Sequence, residues 1–238
     1  KKLFSKVEFI GNPFMDPFLT KTQKFPNQNK RLGILPGSRM PEVGENLCLI
    51  LSVVEYISNL KNVRNDISFD VALVPLLDDY SLRNIVKLDG WKLCYPTKKD
   101  HPLKLIKNQA SVNIYRNSFV RIVKSSNVLI SMAGTATEQA SLLGKYIVQL
   151  EGNGPQFNAS FAEAQRRLIG TKIFCASGSV KESKNMIETC DFILNLLESI
   201  SKDSLLNENV HGKFLNENNA EGTSELMAKL ITNSFLKY

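Results

Sequence analysis

Arg31-Leu32-Gly33-Ile34-Leu35-Pro36-Gly37-Ser38-Arg39-Met40-Pro41-Glu42-Val43 is the stretch that decides the fold. Residues 32–35 form a short apolar run of the kind that makes a buried strand, and Pro36-Gly37 stops it. Pro41 then stands where a helix accepts proline at its first position, because the N–H it lacks would find no partner there. Val43, Leu47, Ile50, Leu51, Val54 and Ile57 follow at helical spacing. The stretch therefore reads as strand, tight glycine turn and helix, which is one βα unit.

The same grammar recurs on both sides of the chain's middle. Val128-Leu129-Ile130-Ser131 is a buried strand that runs into Gly134 and a helix over residues 136–143, closed by Gly144, with a strand at 146–150 behind it. Between the two units, 67–74 reads as a strand ending at Pro75, Asp78 or Asp79 as the cap of a short helix, and 91–95 and 112–115 as further strands. Residues 96–111 carry four lysines and no period. Residues 119–124 suggest a short helix. Later come a helix at Ala159–Ile169, a last strand at 172–175, and helices at 184–200 and 224–235. Alternation of this kind predicts an α/β fold, a Rossmann-like parallel sheet flanked by helices.

Ligands of such sheets bind at the carboxyl ends of the strands, where free N–H groups of a following helix attract anions. Two junctions occupy that position. At Gly37-Ser38-Arg39 the glycine allows close backbone approach, Ser38 donates a hydroxyl and Arg39 offers a planar fork suited to phosphate. A bare turn with an exposed arginine fits the same residues. At Gly134-Thr135-Ala136-Thr137 amides and two hydroxyls are aimed at a helix start, and either threonine could instead simply cap it. Both junctions are expected to hold a phosphate-bearing ligand.

Other features narrow the class. The chain has 30 Lys and Arg against 23 Asp and Glu, a net +7 that favours anionic partners. That charge is spread out, with no Arg/Lys tract interleaved with aromatics, so no nucleic-acid partner is expected. No apolar run reaches the roughly 18–20 residues needed to cross a bilayer. The chain starts at Lys1 without a signal-peptide pattern and reads as a piece of something longer. Cys48, Cys94, Cys175 and Cys190 are far apart, as buried reduced thiols of a cytoplasmic protein would be, with a disulfide pair as the alternative. His101 and His211 have no neighbouring ligands, so no metal is expected. Dinucleotide, P-loop and serine-hydrolase signatures are missing.

Gly11-Asn12-Pro13-Phe14-Met15-Asp16, Leu35-Pro36-Gly37-Ser38-Arg39-Met40-Pro41-Glu42-Val43 and Gly134-Thr135-Ala136-Thr137-Glu138 resemble, in that order, three landmarks of lipid-A-disaccharide synthase, an inverting GT-B glycosyltransferase that uses a UDP-sugar. Gly154-Pro155-Gln156-Phe157-Asn158, with residues 161–165, is similar to the Gln/Asn-rich loop that faces the donor sugar in such enzymes. Gly222-Thr223-Ser224 is similar to a glycine turn near the family's C-terminus. The resemblance runs from Val7 to the end and covers the donor-binding half of a two-domain protein. It departs from the family twice. Asn12 stands where the family has histidine, and Glu138-Gln139 replaces Leu-Glu, which shifts the carboxylate by ~100° around the helix.

The resemblance implies one GT-B half-domain over residues 31–238, preceded by an interdomain segment at 1–30, with the final helices able to cross back to an N-terminal domain. It implies that Gly37, Ser38, Arg39, Gly134, Thr135, Ala136 and Thr137 hold the UDP diphosphate, and that Glu138, Gln156, Asn158 and Gln165 face ribose or sugar. The UDP-sugar is then the substrate, with no cofactor and no metal. The general base would lie in the N-terminal half, so this piece would bind UDP weakly and transfer nothing. The acceptor is open, a lipid among the options, as are the oligomeric state and peripheral contact with the inner face of a membrane through Lys98-Lys99 or residues 14–25. A GT-B UDP-sugar epimerase, using Glu138, Glu151 or Glu163 as acid or base, and a non-catalytic nucleotide-sugar-binding module are the alternatives.

Overall fold

The computed structural model describes residues 11–20, 25, 30–60, 66–98, 101–153, 158–170, 172–203 and 222–235. They fall into two compact units, one over residues 23–207 and one made of residues 1–22 with 208–238. The terminal helix therefore groups with the N-terminal segment.

The larger unit is built on an eight-stranded sheet. In chain order it contains β1 (Lys30–Leu35), α1 (Glu42–Asn59), β2 (Ile67–Leu73), α2 (Asp79–Lys87), β3 (Lys92–Cys94), β4 (Leu103–Lys107), β5 (Ala110–Arg116) and α3 (Phe119–Ser125). Then follow β6 (Val128–Ser131), α4 (Gly134–Leu142), β7 (Tyr146–Gln149), α5 (Ala159–Ile169), β8 (Ile173–Cys175) and α6 (Ser183–Asp203). The spatial order is β3-β4-β5-β2-β1-β6-β7-β8. Strands β5, β2, β1, β6, β7 and β8 run parallel, while β4 is antiparallel to both β3 and β5.

Helices cover both faces, which is why the parallel strands read as continuous apolar runs. Val128 and Ile130 of β6 pack into one core with Val43, Leu47, Ile50 and Val54 of α1 and Ile193 and Leu197 of α6. Successive side chains on a strand point to opposite faces, so Leu129 lies on the other side, where α3 contributes the buried Ile122 and Val123. The periodic positions of α1 singled out from the sequence are all buried.

Strand β4 is the element that the sequence did not disclose. It lies in the lysine-rich stretch 96–111 and forms a hairpin with β5 through Asn108 and Gln109, Asn108 having a positive φ of 52°. Leu105 is buried, and the lysines on either side of the Leu105–Ile106 pair belong to a half-exposed strand near the sheet edge. Asparagine in a two-residue turn between short β runs is the local signal for this hairpin.

An ion pair is buried inside the sheet. Asp70 of β2 is fully buried and paired with Arg31 of β1, and it also accepts from Asn113 Nδ2 at 2.7 Å. The Arg31 and Arg121 guanidinium groups lie 4.4 and 3.7 Å from the ring centre of Phe25. Phe25 is consequently buried and is no membrane contact, whereas Phe14 and Lys98 are exposed; Lys99 lies outside the described residues.

In the smaller unit a 3₁₀ helix, Pro13–Phe18, meets α7 (Thr223–Phe235). Asn12 caps the 3₁₀ turn by accepting from Phe14 N at 3.0 Å. The Asp16 carboxylate accepts from the backbone N–H groups of Thr223 at 2.8 Å and Ser224 at 2.7 Å, so it neutralises orphan donors at the start of α7. Gly222 passes so close that a Cβ there would lie 3.0 Å from Asp16 Oδ2. Burial alone would raise the Asp16 pKa, but the bonds from Ser224 and Thr223 outweigh it and hold the carboxyl below its ordinary 3.8. A depressed carboxyl stabilises the folded form fully above its unfolded value and loses that contribution as pH falls through the folded value. Asp16→Ala is expected to lower the opening free energy of the first turn of α7 by about 1 kcal/mol, measured by amide hydrogen exchange at neutral pH, with protection in the sheet unchanged. The difference from wild type should vanish in acid below the usual carboxylate range. Equal exchange at neutral pH would show that the cap carries no weight.

Candidate functional site

Strand β1 lies between β2 and β6, so the chain leaves its carboxyl end to one side first and returns on the other side later. The loops after β1 and β6 diverge at such a switch point and leave a crevice. A cavity of about 520 Å³ occupies it. Its walls come from the ends of β1 and β6, from Val74 and Pro75 after β2, from Asn117 to Phe119 after β5, and from Glu42, Val43 and Asn46 of α1.

The loop after β1 is held by three contacts. Met132 N donates to Leu35 O at 2.8 Å, which ties it to the end of β6. Asn46 Nδ2 donates to the buried Pro36 carbonyl at 3.0 Å. Gly37 has a φ of +104°, and a Cβ there would sit 3.0 Å from the Met132 carbonyl oxygen, so both backbone shape and space require glycine. Ser38 and Arg39 follow, exposed at the cavity, and no ion pair among the described residues involves Arg39. The helix itself begins at Glu42, with Pro41 as the capping residue, one position later than the sequence suggests.

On the facing side, α4 starts at Gly134 with Ala133 as its extended N-cap and no side-chain cap. Its first N–H groups are thus available to an anion in the cavity, which Gly134, Thr135 and Ala136 line. Thr137 does something else. Its side chain is buried, bonded to the Ala133 carbonyl and 2.8 Å from the Ser131 hydroxyl. That hydroxyl fastens helix to strand and is not aimed at a ligand.

The other wall depends on Arg116. Its guanidinium donates to Val74 O at 3.1 Å and Leu77 O at 2.6 Å and pairs with Asp79 at 2.7 Å, which fixes the loop after β2. Asp78 caps α2 by accepting from Ser81 N. Neither Arg116 nor Asn46 was singled out from the sequence. Asn46 carried a signal, a polar residue on the apolar face of α1, whereas nothing local marks Arg116.

The expected sugar contacts are placed elsewhere. Glu138 is exposed and outside the cavity lining, and Gln139, one position on, lines it instead. Gln165 is buried and accepts from Gln149 Nε2 at 2.7 Å, so its amide serves the interior. Asn158 caps α5 by accepting from Phe161 N at 2.8 Å. Gln156 lies outside the described residues. Of the other acid/base candidates, Glu163 is held by Arg166 and Arg167, whose bonds bring its pKa down to about 2. Glu151 lines a separate cleft along α1.

All four cysteines are free; burial pushes the thiols of Cys48 and Cys190 up to about 12, aided by Asp89 and Asp191 respectively. Among the described residues no group of three or more His, Cys, Asp or Glu is placed to hold a metal. His101 is exposed, and His211 lies outside the described residues. No described helix is long and apolar enough to cross a membrane.

Asn46→Leu keeps the number and branching of side-chain heavy atoms but strands the Pro36 carbonyl, so it is expected to cost about 1–3 kcal/mol or more in denaturant unfolding. An unchanged midpoint would mean that water reaches that carbonyl.

No family model matches the chain. In sequence it is 27% identical over 147 residues to the lipid-A-disaccharide synthase of Persephonella marina, a match that covers 58% of this chain and 34% of that protein. In structure it is similar to a protein assigned as a UDP-N-acetylglucosamine 2-epimerase of Listeria monocytogenes, at 14% identity and a TM-score of 0.50, covering 96% of this chain and 54% of the other. The spinosyn rhamnosyltransferase SpnG follows at 13% identity and a TM-score of 0.48, with 88% of this chain and 48% of the other covered. The chain thus matches about a third of its sequence relative and spans about half of each solved structure. The chain is thus similar in sequence to part of a lipid-A-disaccharide synthase, and its Rossmann-like sheet flanked by helices has the fold of one GT-B half-domain.

Proposed function

We propose that the chain is the donor-binding part of an inverting, metal-independent glycosyltransferase and takes the diphosphate of a UDP-sugar into the switch-point cavity. The observation that carries this reading is that the uncapped start of α4 and the guanidinium of Arg39, which has no ion pair among the described residues, line one cavity. Negative charge builds on the leaving diphosphate as the sugar bond breaks, and donors already aimed at that spot lower the barrier. Arg39 and the amides of Gly134, Thr135 and Ala136 offset that charge, a task that a divalent ion performs in other designs. The sugar donor is then a substrate, and no cofactor takes part.

The sequence relative is much longer than the matched region. We place the general base and acceptor site in that additional length, so the chain by itself binds donor without transferring it. The acceptor, a lipid among the options, would be met there.

A second reading as a UDP-sugar epimerase is favoured by the name of the Listeria protein. Epimerisation moves a proton at a ring carbon and needs acid/base groups beside it. Glu138, Glu151 and Glu163, the acid/base candidates of the sequence, are all outside the cavity lining, and a single carboxylate, Glu42, lines it among the described residues, which gives this half no acid/base pair for that step.

Calorimetric titration with UDP tests the reading. Binding is expected in the micromolar to millimolar range, and Arg39→Ala should weaken it about tenfold or more, as loss of a charge-assisted hydrogen bond does. Glu138→Ala should leave affinity unchanged. Absence of heat at millimolar UDP would sink the proposal, and an epimerised sugar formed from UDP-sugar alone would favour the second reading.

A further inference from the structure

Glu42 is the one carboxylate among the described residues that lines the cavity. Its Oε2 is buried and has no hydrogen-bond partner. No ion pair among the described residues joins it to Arg39 or to any other cation. A buried acceptor in this condition costs the folded protein its lost hydration. Support of the α1 dipole does not account for the cost, because Glu45 stands in the same first turn and is exposed to water.

The chemistry of the group restricts what it can meet. An ionised carboxylate only accepts hydrogen bonds, and it repels a phosphate brought beside it. The cavity therefore has two kinds of wall. Arg39 and the α4 amides suit the anionic part of a ligand, and Glu42 suits a neutral donor. In a UDP-sugar the neutral donors are the uracil N3–H and the ring hydroxyls, and the hydroxyls, many and close to the diphosphate on both sides, make short and strong O–H···O⁻ bonds.

We propose that Glu42 accepts a hydrogen bond from a sugar-ring hydroxyl of the bound ligand, on the ribose or on the transferred hexose. The proposal rests on the nucleotide-sugar reading above. It supplies that reading with a carboxylate in the cavity, a place that Glu138 does not fill.

Calorimetric titration of wild type, Glu42→Gln and Glu42→Ala with UDP, 2′,3′-dideoxy-UDP and UDP-glucose tests it, alongside the thermal midpoint of each unliganded protein. If the ribose is the partner, both variants lose about tenfold or more in UDP affinity, and the loss disappears with the dideoxy nucleotide. If the hexose is the partner, the loss appears with UDP-glucose and not with UDP. Either result supports the proposal, provided that the midpoint of Glu42→Gln is no lower than wild type, since no bond is removed from the unliganded protein. Should the alanine variant fail to fold, the glutamine variant decides. Unchanged affinity for all three ligands overturns the proposal, as does an equal loss for UDP and its dideoxy analogue or a lowered midpoint with intact binding. Wild type that binds no UDP overturns this proposal together with the reading beneath it, whereas binding indifferent to Glu42 overturns this one alone.

Discussion

Everything at the cavity depends on how the end of β1 is fastened to the end of β6. The Met132 N–H donates to the Leu35 carbonyl, and Asn46 takes the next carbonyl, that of Pro36. With two successive carbonyls committed, the chain turns at Gly37, where the Met132 oxygen leaves no room for a side chain. Buried carbonyls must be paired, so the turn has little freedom once its neighbours are in place. Ser38 and Arg39 are delivered to the cavity as a consequence of backbone pairing, before any ligand arrives.

Polar groups near the crevice fall into two populations that are separated by whether the fold uses them. Thr137, Gln165, Asn158 and Arg116 are all committed to helix, strand or loop partners, so their polarity contributes to stability. Arg39, Glu42 and the first turn of α4 have no such partners among the described residues while lining the same space. Unsatisfied groups lower stability, and departures from local consistency of this kind collect where a protein binds something. The side chains that sequence chemistry makes attractive and those that the fold leaves available are different sets, and their overlap is small.

That overlap explains how much could be read in advance. The βα units at residues 31–59 and 128–150 were legible because buried parallel strands and amphipathic helices impose two clear periods, whereas the strand order that makes a switch point between them is a tertiary matter. The hairpin of β4 and β5 was not, because Lys104 and Lys107 break the apolar pattern in a strand that is exposed on one side. At the site, Gly37 and Gly134 were visible through the turns that they permit. Thr137 stayed open between ligand and helix because a hydroxyl on a helix start bonds inward or outward according to how the helix meets its strand, a tertiary matter; here it bonds inward. Gln139 and Glu138 differ only by a step around a helix whose start, at Gly134, lies two residues earlier than its apolar pattern suggests.

The segments by which the chain resembles lipid-A-disaccharide synthase divide into two physical tasks. Leu35 to Val43 and Gly134 to Ala136 line the cavity, so their residue types answer to a ligand. The segment from Gly11 to Asp16 and the turn at Gly222 to Ser224, about as far apart in sequence as the chain allows, answer to each other. Asp16 caps α7 through the amides of Thr223 and Ser224, and glycines at 11 and 222 allow the approach, since a Cβ on Gly11 would lie 2.7 Å from the Thr223 hydroxyl. A segment that resembles a family landmark can thus be one half of a structural clasp. The asparagine at position 12 illustrates the point: it is occupied in capping the 3₁₀ turn that presents Asp16, a task within reach of a side-chain acceptor of that length.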